Sequence, residues 1–237
     1  MKLRRLACAG PIALLALPGA AIAAPTLNLD RPCYTPGQAI NASGGGYTPG
    51  GQVGMIAFVN SASGPDIYSL TDPLTADEAG NIAVRLRAPD MSSKNDIVET
   101  AGLSATDQQR QDQGAPPEDT FGGAIFKLSI FDVFVDPWDR HRADPKKVTT
   151  FRVYGFEGLG PVLYAHYLLH GKLKKTVRIG ELTGDCGNLT KKMKQFPFRP
   201  VPVGDYRIEF DTSRAYSPSA EGIAYSHVKV SAKKAVR

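Results

Sequence analysis

Two stretches of this chain repeat each other at a nearly fixed offset, and that repetition sets the plan of the fold before any single residue is considered. Gly46-Tyr47-Thr48-Pro49-Gly50 runs into an apolar stretch at Val53, as Gly155-Phe156-Glu157-Gly158 runs into one at Val162. Leu74-Thr75-Ala76-Asp77 with Gly80-Asn81-Ile82 is echoed by Leu182-Thr183-Gly184-Asp185 with Gly187-Asn188-Leu189. The offsets are 109, 108 and 107 residues. Spacing held over three separate segments needs a shared order of turns and strands, so it predicts two copies of one fold in tandem.

Within each copy the local signals are those of strands. Thr35-Pro36-Gly37 and Thr48-Pro49-Gly50 predict turns, because proline presets φ and the following glycine tolerates a positive one. Val53 to Val59 is an apolar run of strand length, and Ile82 to Arg87 alternates so that Ile82, Val84 and Leu86 share a core face. Further strands are predicted at 97–103, 126–135, 149–154, 162–169, 173–179, 189–198, 206–210 and 223–230, with His170-Gly171 as a hairpin turn. In the penultimate strand Tyr206, Ile208 and Phe210 face one way and Arg207, Glu209 and Asp211 the other. Asp107 to Thr120, polar and proline-rich, reads as a mobile loop. Six or seven short strands per copy predict an all-β fold: two tandem antiparallel β-sandwich domains, 25–136 and 137–237, joined by a linker beginning at Val135-Asp136-Pro137 and continuing from Trp138 to Lys147.

Residues 1–23 read as a cleaved signal peptide. Lys2, Arg4 and Arg5 give a positive start, Leu6 to Leu17 is apolar but too short to span a bilayer, and Ala21-Ile22-Ala23 supplies small residues for cleavage. No second long apolar segment follows, so no transmembrane segment is predicted and the mature chain is expected to be secreted, extracellular or associated with the cell envelope. Export removes Cys8 and places Cys33 and Cys186 in oxidising surroundings. One cysteine lies in each copy, so the two either close a disulfide between the copies or remain as separate buried thiols; the disulfide is the prediction.

Asp30-Arg31-Pro32-Cys33-Tyr34-Thr35-Pro36-Gly37, followed by Gly45-Gly46-Tyr47-Thr48-Pro49-Gly50, resembles the opening of immunoglobulin-like domains in secreted bacterial proteins, those of high-GC Gram-positive species especially. Tyr164-Ala165-His166-Tyr167, Lys174 to Gly180, Cys186-Gly187, Phe196-Pro197-Phe198-Arg199 and Phe210-Asp211 are similar to the companion domain of such proteins. These are turn and core residues. The resemblance therefore implies the immunoglobulin-like fold and supplies no catalytic residues.

Charge divides sharply between the copies. Residues 25–136 carry six Lys and Arg against fourteen Asp and Glu, a net of −8, whereas 137–237 carry nineteen against nine, a net of +10. Simple alternation places Lys172, Lys174 and Arg178 on one strand face, a candidate binding surface for polyanions in a basic domain that also carries Lys146, Lys147, Lys175, Lys191, Lys192 and Lys194. The bland alternative is a solvated face, or attraction between the acidic and basic domains. Nucleic acid is not expected as a partner, since no stacking motif is interleaved with the basic residues. His166 and His170, four apart on a strand, stand roughly 13 Å apart by strand rise and cannot share a metal directly. No metal site, cofactor or nucleophile motif is predicted. Gly44-Gly45-Gly46 leads into a strand, where a phosphate loop would lead into a helix. Two functions follow: a non-enzymatic extracellular binding or structural module at the bacterial cell surface, whose partner is an anionic envelope polymer or another surface protein, or a secreted hydrolase or accessory domain of carbohydrate metabolism whose carboxylates converge only in three dimensions.

Overall fold

The computed structural model describes residues 23–61, 64–69, 73–93, 95–136, 143–219 and 224–231. The expected signal peptide, Trp138 and His141 lie outside them, save Ala23. The first half comprises β1 (Asn28–Leu29), β2 (Cys33–Tyr34), β3 (Ala39–Gly44), β4 (Gln52–Ser61), β5 (Gly64–Ser69), β6 (Leu74–Thr75), β7 (Ile82–Arg87), β8 (Val98–Asp107) and β9 (Phe121–Ser129), with α1 (Gln108–Asp112) and α2 (Pro117–Thr120) between the last two. The second half comprises β10 (Asp132–Asp136), β11 (Val148–Tyr154), β12 (Val162–Leu169), β13 (Lys172–Glu181), β14 (Leu189–Lys194), β15 (Gly204–Asp211) and β16 (Ala224–Val230).

The fold is all-β, and the repeat is visible in the pairing. One sheet of the first half runs β1-β3-β7 and its counterpart β10-β11-β14; the facing sheets run β2-β9-β8-β4-β5 and β16-β15-β12-β13. The glycines explain why the spacing is shared. Gly80 has φ +76°, and a Cβ there would strike the Tyr47 carbonyl; Gly187 has φ +61°, and a Cβ there would stand 2.6 Å from the Phe156 carbonyl carbon and from Glu157 N. In both halves a turn glycine thus lies against the backbone of a buried aromatic residue, Tyr47 or Phe156, where any side chain would meet both steric conflict and an unfavourable φ. Tyr206 adds a hallmark of immunoglobulin-like sandwiches, its hydroxyl donating to Pro202 O at 3.1 Å at the corner before β15.

Each half has its own core. Tyr34, Ile40, Val53, Ala57, Leu103 and Phe126 pack in one, and Phe151, Phe156, Leu163, Tyr167, Ile208 and Phe210 in the other. The alternation read in β7 holds, with Ile82 and Leu86 buried, Val84 half-buried, and Arg85 and Arg87 exposed. Among the described residues no helix is long and apolar enough to cross a membrane.

Three features differ from the sequence reading. The single strand expected over 126–135 is broken at Ile130-Phe131, and β10 pairs with β11 of the second half, so Val133 and Val135 join the second core. Packing therefore changes halves six residues before the expected boundary at 136/137, because the alternation of 132–136 matches the β11 face. Second, the sheets are not wholly antiparallel, since β2 runs parallel to β9. Third, Asp107 to Thr120 is an ordered element. Asp107 caps α1 by accepting from Arg110 N at 3.1 Å and accepts from Thr48 N at 2.6 Å and Thr48 Oγ1 at 2.8 Å. Arg110 Nε lies 3.3 Å from the same carboxylate, and its other nitrogens donate to Ala23 O, Asp119 O and Gly46 O. A polar segment can order without burying apolar area when one buried ion pair satisfies so many backbone groups.

The two halves are joined covalently. Cys33 and Cys186 form a disulfide with Cα atoms 5.1 Å apart, as the sequence predicts, and both are buried. Lys127 Nζ and Asp185 Oδ2 pair at 2.9 Å beside it, and a Cβ on Gly158 would stand 3.0 Å from Arg31 Nη1. Disulfides persist in oxidising surroundings.

Candidate functional site

The outer face of the β13-β12-β15-β16 sheet carries a set of charged and polar groups. Its rows follow from register. Arg178 pairs with Tyr164, which pairs with Asp211; Thr176 pairs with His166, which pairs with Glu209; Arg207 lies between Leu168 and His227. The Leu163, Ala165, Tyr167 and Leu169 side chains alternate to the opposite, core face.

The edge strand β13 does not keep the simple alternation. Leu168 pairs with Leu173 and Tyr167 with Lys175, so the register shifts at Lys174. A bulge of this kind puts an extra residue in one strand and reverses the facing of what lies beyond it. Thr176 and Arg178 therefore share the outer face with His166 and Tyr164, whereas Lys172 is opposite the core residue Leu169 at the hairpin end. The three-residue face expected from sequence is thus corrected: Lys174 and Arg178 line one open concavity of about 670 Å³, together with Tyr164, Leu173, Lys175, Thr176 and Arg214, and Lys172 is not among them. Arg178 also donates to exposed Glu181 at 2.8 Å. Lys191, Lys192 and Lys194 lie in β14, in the other sheet of the sandwich, so the basic residues of this half are divided between two surfaces.

Beneath the rim of this concavity lies a buried polar cluster. His166 is wholly buried although it points away from the core. Its Nδ1 is 2.8 Å from Thr176 Oγ1, and its Nε2 is 3.1 Å from both Asp211 Oδ1 and Ser213 O. Both Nε2 partners are acceptors, so Nε2 carries a proton; the threonine hydroxyl satisfies Nδ1 either as donor or as acceptor. Glu209 and Asp211 are buried too. Arg207 pairs with Glu209 Oε1, and Glu209 Oε2 and Asp211 Oδ2 have no protein hydrogen-bond partner. The loop 212–219 packs on His166 and Asp211. Thr212 Oγ1 donates to Leu159 O, Ser213 N donates to Asp211 Oδ1 at 2.7 Å, and the Tyr216 ring centre stands 5.5 Å from that of His166.

Alternation along β15 did separate Glu209 and Asp211 from the core residues. The loop that packs on His166 and Asp211 carries no sequence motif that marks it. His170, at φ +51°, and His227 are exposed and line a second concavity of about 530 Å³ with Asp205, Arg207 and Lys229. Among the described residues no three His, Cys, Asp or Glu side chains are grouped so as to hold a metal ion.

No protein-family model matches the sequence, and no curated protein matches it. Solved structures with a similar arrangement include a transglutaminase of red sea bream, at 11% identity and a TM-score of 0.29, covering 86% of this chain and 31% of that one. Trypsin-activated alpha-2-macroglobulin from Escherichia coli is matched at 12% identity and a TM-score of 0.34, over 90% of this chain and 18% of that one. The native conformation of the same bacterial protein, seen by cryo-electron microscopy, gives 14% identity and a TM-score of 0.31, over 89% and 16%. The chain thus spans at most 31% of the length of these proteins.

Proposed function

We propose that this protein is a non-enzymatic binding module, exported by cleavage of residues 1–23 and retained at the bacterial cell envelope, in which an acidic domain and a basic domain act as one unit. The basic domain holds an anionic envelope polymer on the outer face of its four-stranded sheet. The observation that carries this reading is the concavity whose charged lining residues, Lys174, Lys175, Arg178 and Arg214, are all cations. The disulfide supports it indirectly, because it joins the acidic and basic halves covalently.

Retention of the purified chain on immobilised polyphosphate tests the proposal. Lys174→Glu with Arg178→Glu weakens retention, salt weakens it further because exposed charges are screened beyond roughly 8 Å at physiological ionic strength, and Lys172→Glu alone has a smaller effect. Retention indifferent to both the double substitution and salt overturns it. One observation favours a second reading, a hydrolase or accessory domain acting on carbohydrate: His166, Glu209 and Asp211 lie together, although all three are buried. On that reading Glu209→Gln abolishes glycan hydrolysis and leaves polyanion retention intact.

A further inference from the structure

The basic concavity has two walls of different origin. One is the strand β13, which supplies Lys174 and Arg178; the other is the loop 212–219, which supplies Arg214. The loop wall is set from below. Ser213, next to Arg214, is held through its carbonyl by His166 Nε2 at 3.1 Å and through its amide by Asp211 Oδ1 at 2.7 Å. Tyr216, two residues beyond Arg214, lies against the His166 ring. His166 is oriented in turn by Thr176, a residue of the strand wall. One buried side chain therefore ties together both walls of an exposed basic site.

Resting on the polyanion reading above, we infer that Arg178 and Arg214 form a two-walled subsite for a tetrahedral oxyanion, a phosphate or sulfate ester of the polymer, and that His166 is the positioning residue that fixes the Arg214 wall. Cations on two walls favour one ligand class. A carboxylate presents two coplanar oxygens, which one guanidinium fork satisfies. A phosphate or sulfate ester presents its oxygens in several directions and can accept from guanidinium groups on two walls at once. Lys174 and Lys175 then supply point charge without directional demand.

The test is calorimetric titration of the full chain at low salt with dextran phosphate, dextran sulfate and poly-L-glutamate. The two ester polymers bind more tightly than poly-L-glutamate, and whichever of the two binds better identifies the ester. Arg214→Ala weakens ester binding roughly tenfold, the scale of one charge-assisted contact, and changes poly-L-glutamate binding little. His166→Asn weakens ester binding in the natural chain and adds no further loss to Arg214→Ala, because its effect runs through that residue. Tyr216→Ala, which leaves the buried network in place, gives the same pattern at smaller amplitude, and thermal melting confirms that each variant folds. Ester binding unchanged by Arg214→Ala, or a His166→Asn loss of equal size in both backgrounds, overturns the inference while the polyanion reading stands. Ester binding untouched by Lys174→Glu with Arg178→Glu overturns the inference, and binding that is also indifferent to salt, or absent, overturns both.

Discussion

Asp107→Ala is the substitution that most directly tests how the acidic half is built. The carboxylate loses its cap on α1, worth about 1 kcal/mol, and two hydrogen bonds from Thr48 at 2.6 and 2.8 Å, each in the range of about 1.5–3 kcal/mol for a charged acceptor. Breaking a buried ion pair costs about 3–5 kcal/mol when the surviving charge is stranded. Arg110 is not wholly stranded, since Gly46 O, Asp119 O and Ala23 O still accept from it. All these terms share one carboxylate and do not add. The net expectation is about 3–4 kcal/mol, which for a urea dependence of about 1–3 kcal/mol per molar moves the midpoint of the acidic half by at least about 1 M. Urea unfolding followed by circular dichroism at pH 7 reads it. The pH dependence gives a second check. Burial pushes the Asp107 carboxyl upward, but the hydrogen bonds from Arg110 and Thr48, with the Arg110 charge, outweigh it and hold the pKa below the ordinary 3.8. A carboxyl with a lowered folded pKa contributes fully above its unfolded value and loses that contribution as the pH falls through the folded one. The gap between natural and Asp107→Ala chains must therefore narrow below about pH 4. A loss under about 1 kcal/mol at pH 7 refutes the reasoning, as does a gap that persists in acid.

Limited proteolysis follows from the same pair. Trypsin spares Arg110 in the natural chain, its side chain being buried, and cuts there in Asp107→Ala; early cleavage at Arg110 in the natural chain would contradict the ordered segment. Replacing Cys33 and Cys186 together by serine releases a loop spanning 153 residues, which in the chain-entropy model costs roughly 5 kcal/mol of stability. Calorimetry reads this as a lowered unfolding temperature, and an unchanged temperature rules out a structural role for the bond.

Whatever depends on near neighbours or on a repeated spacing was legible in the amino-acid order alone. Alternation placed Ile82 and Leu86 in one core and Tyr206, Ile208 and Phe210 in the other, because the side-chain period of a strand is set by the backbone alone. The shared offsets marked Gly80 and Gly187, each of which lies against an aromatic residue's backbone about thirty residues earlier, a contact that only a fixed strand order can reproduce. The cysteine pair was legible because each half holds one. Tertiary structure decided what depends on distant segments. Whether Lys172 shares a face with Arg178 turns on one bulge, which register with β12 imposes and no residue type in β13 announces. Whether Asp107 to Thr120 is mobile turns on Thr48 and Gly46, some sixty residues away in the chain, which supply the groups that satisfy Asp107 and Arg110. Whether Asp211 and His166 meet solvent turns on a loop that folds back over its own strand. Periodicity reports which side of a sheet a residue faces; only the packed chain decides what covers that side.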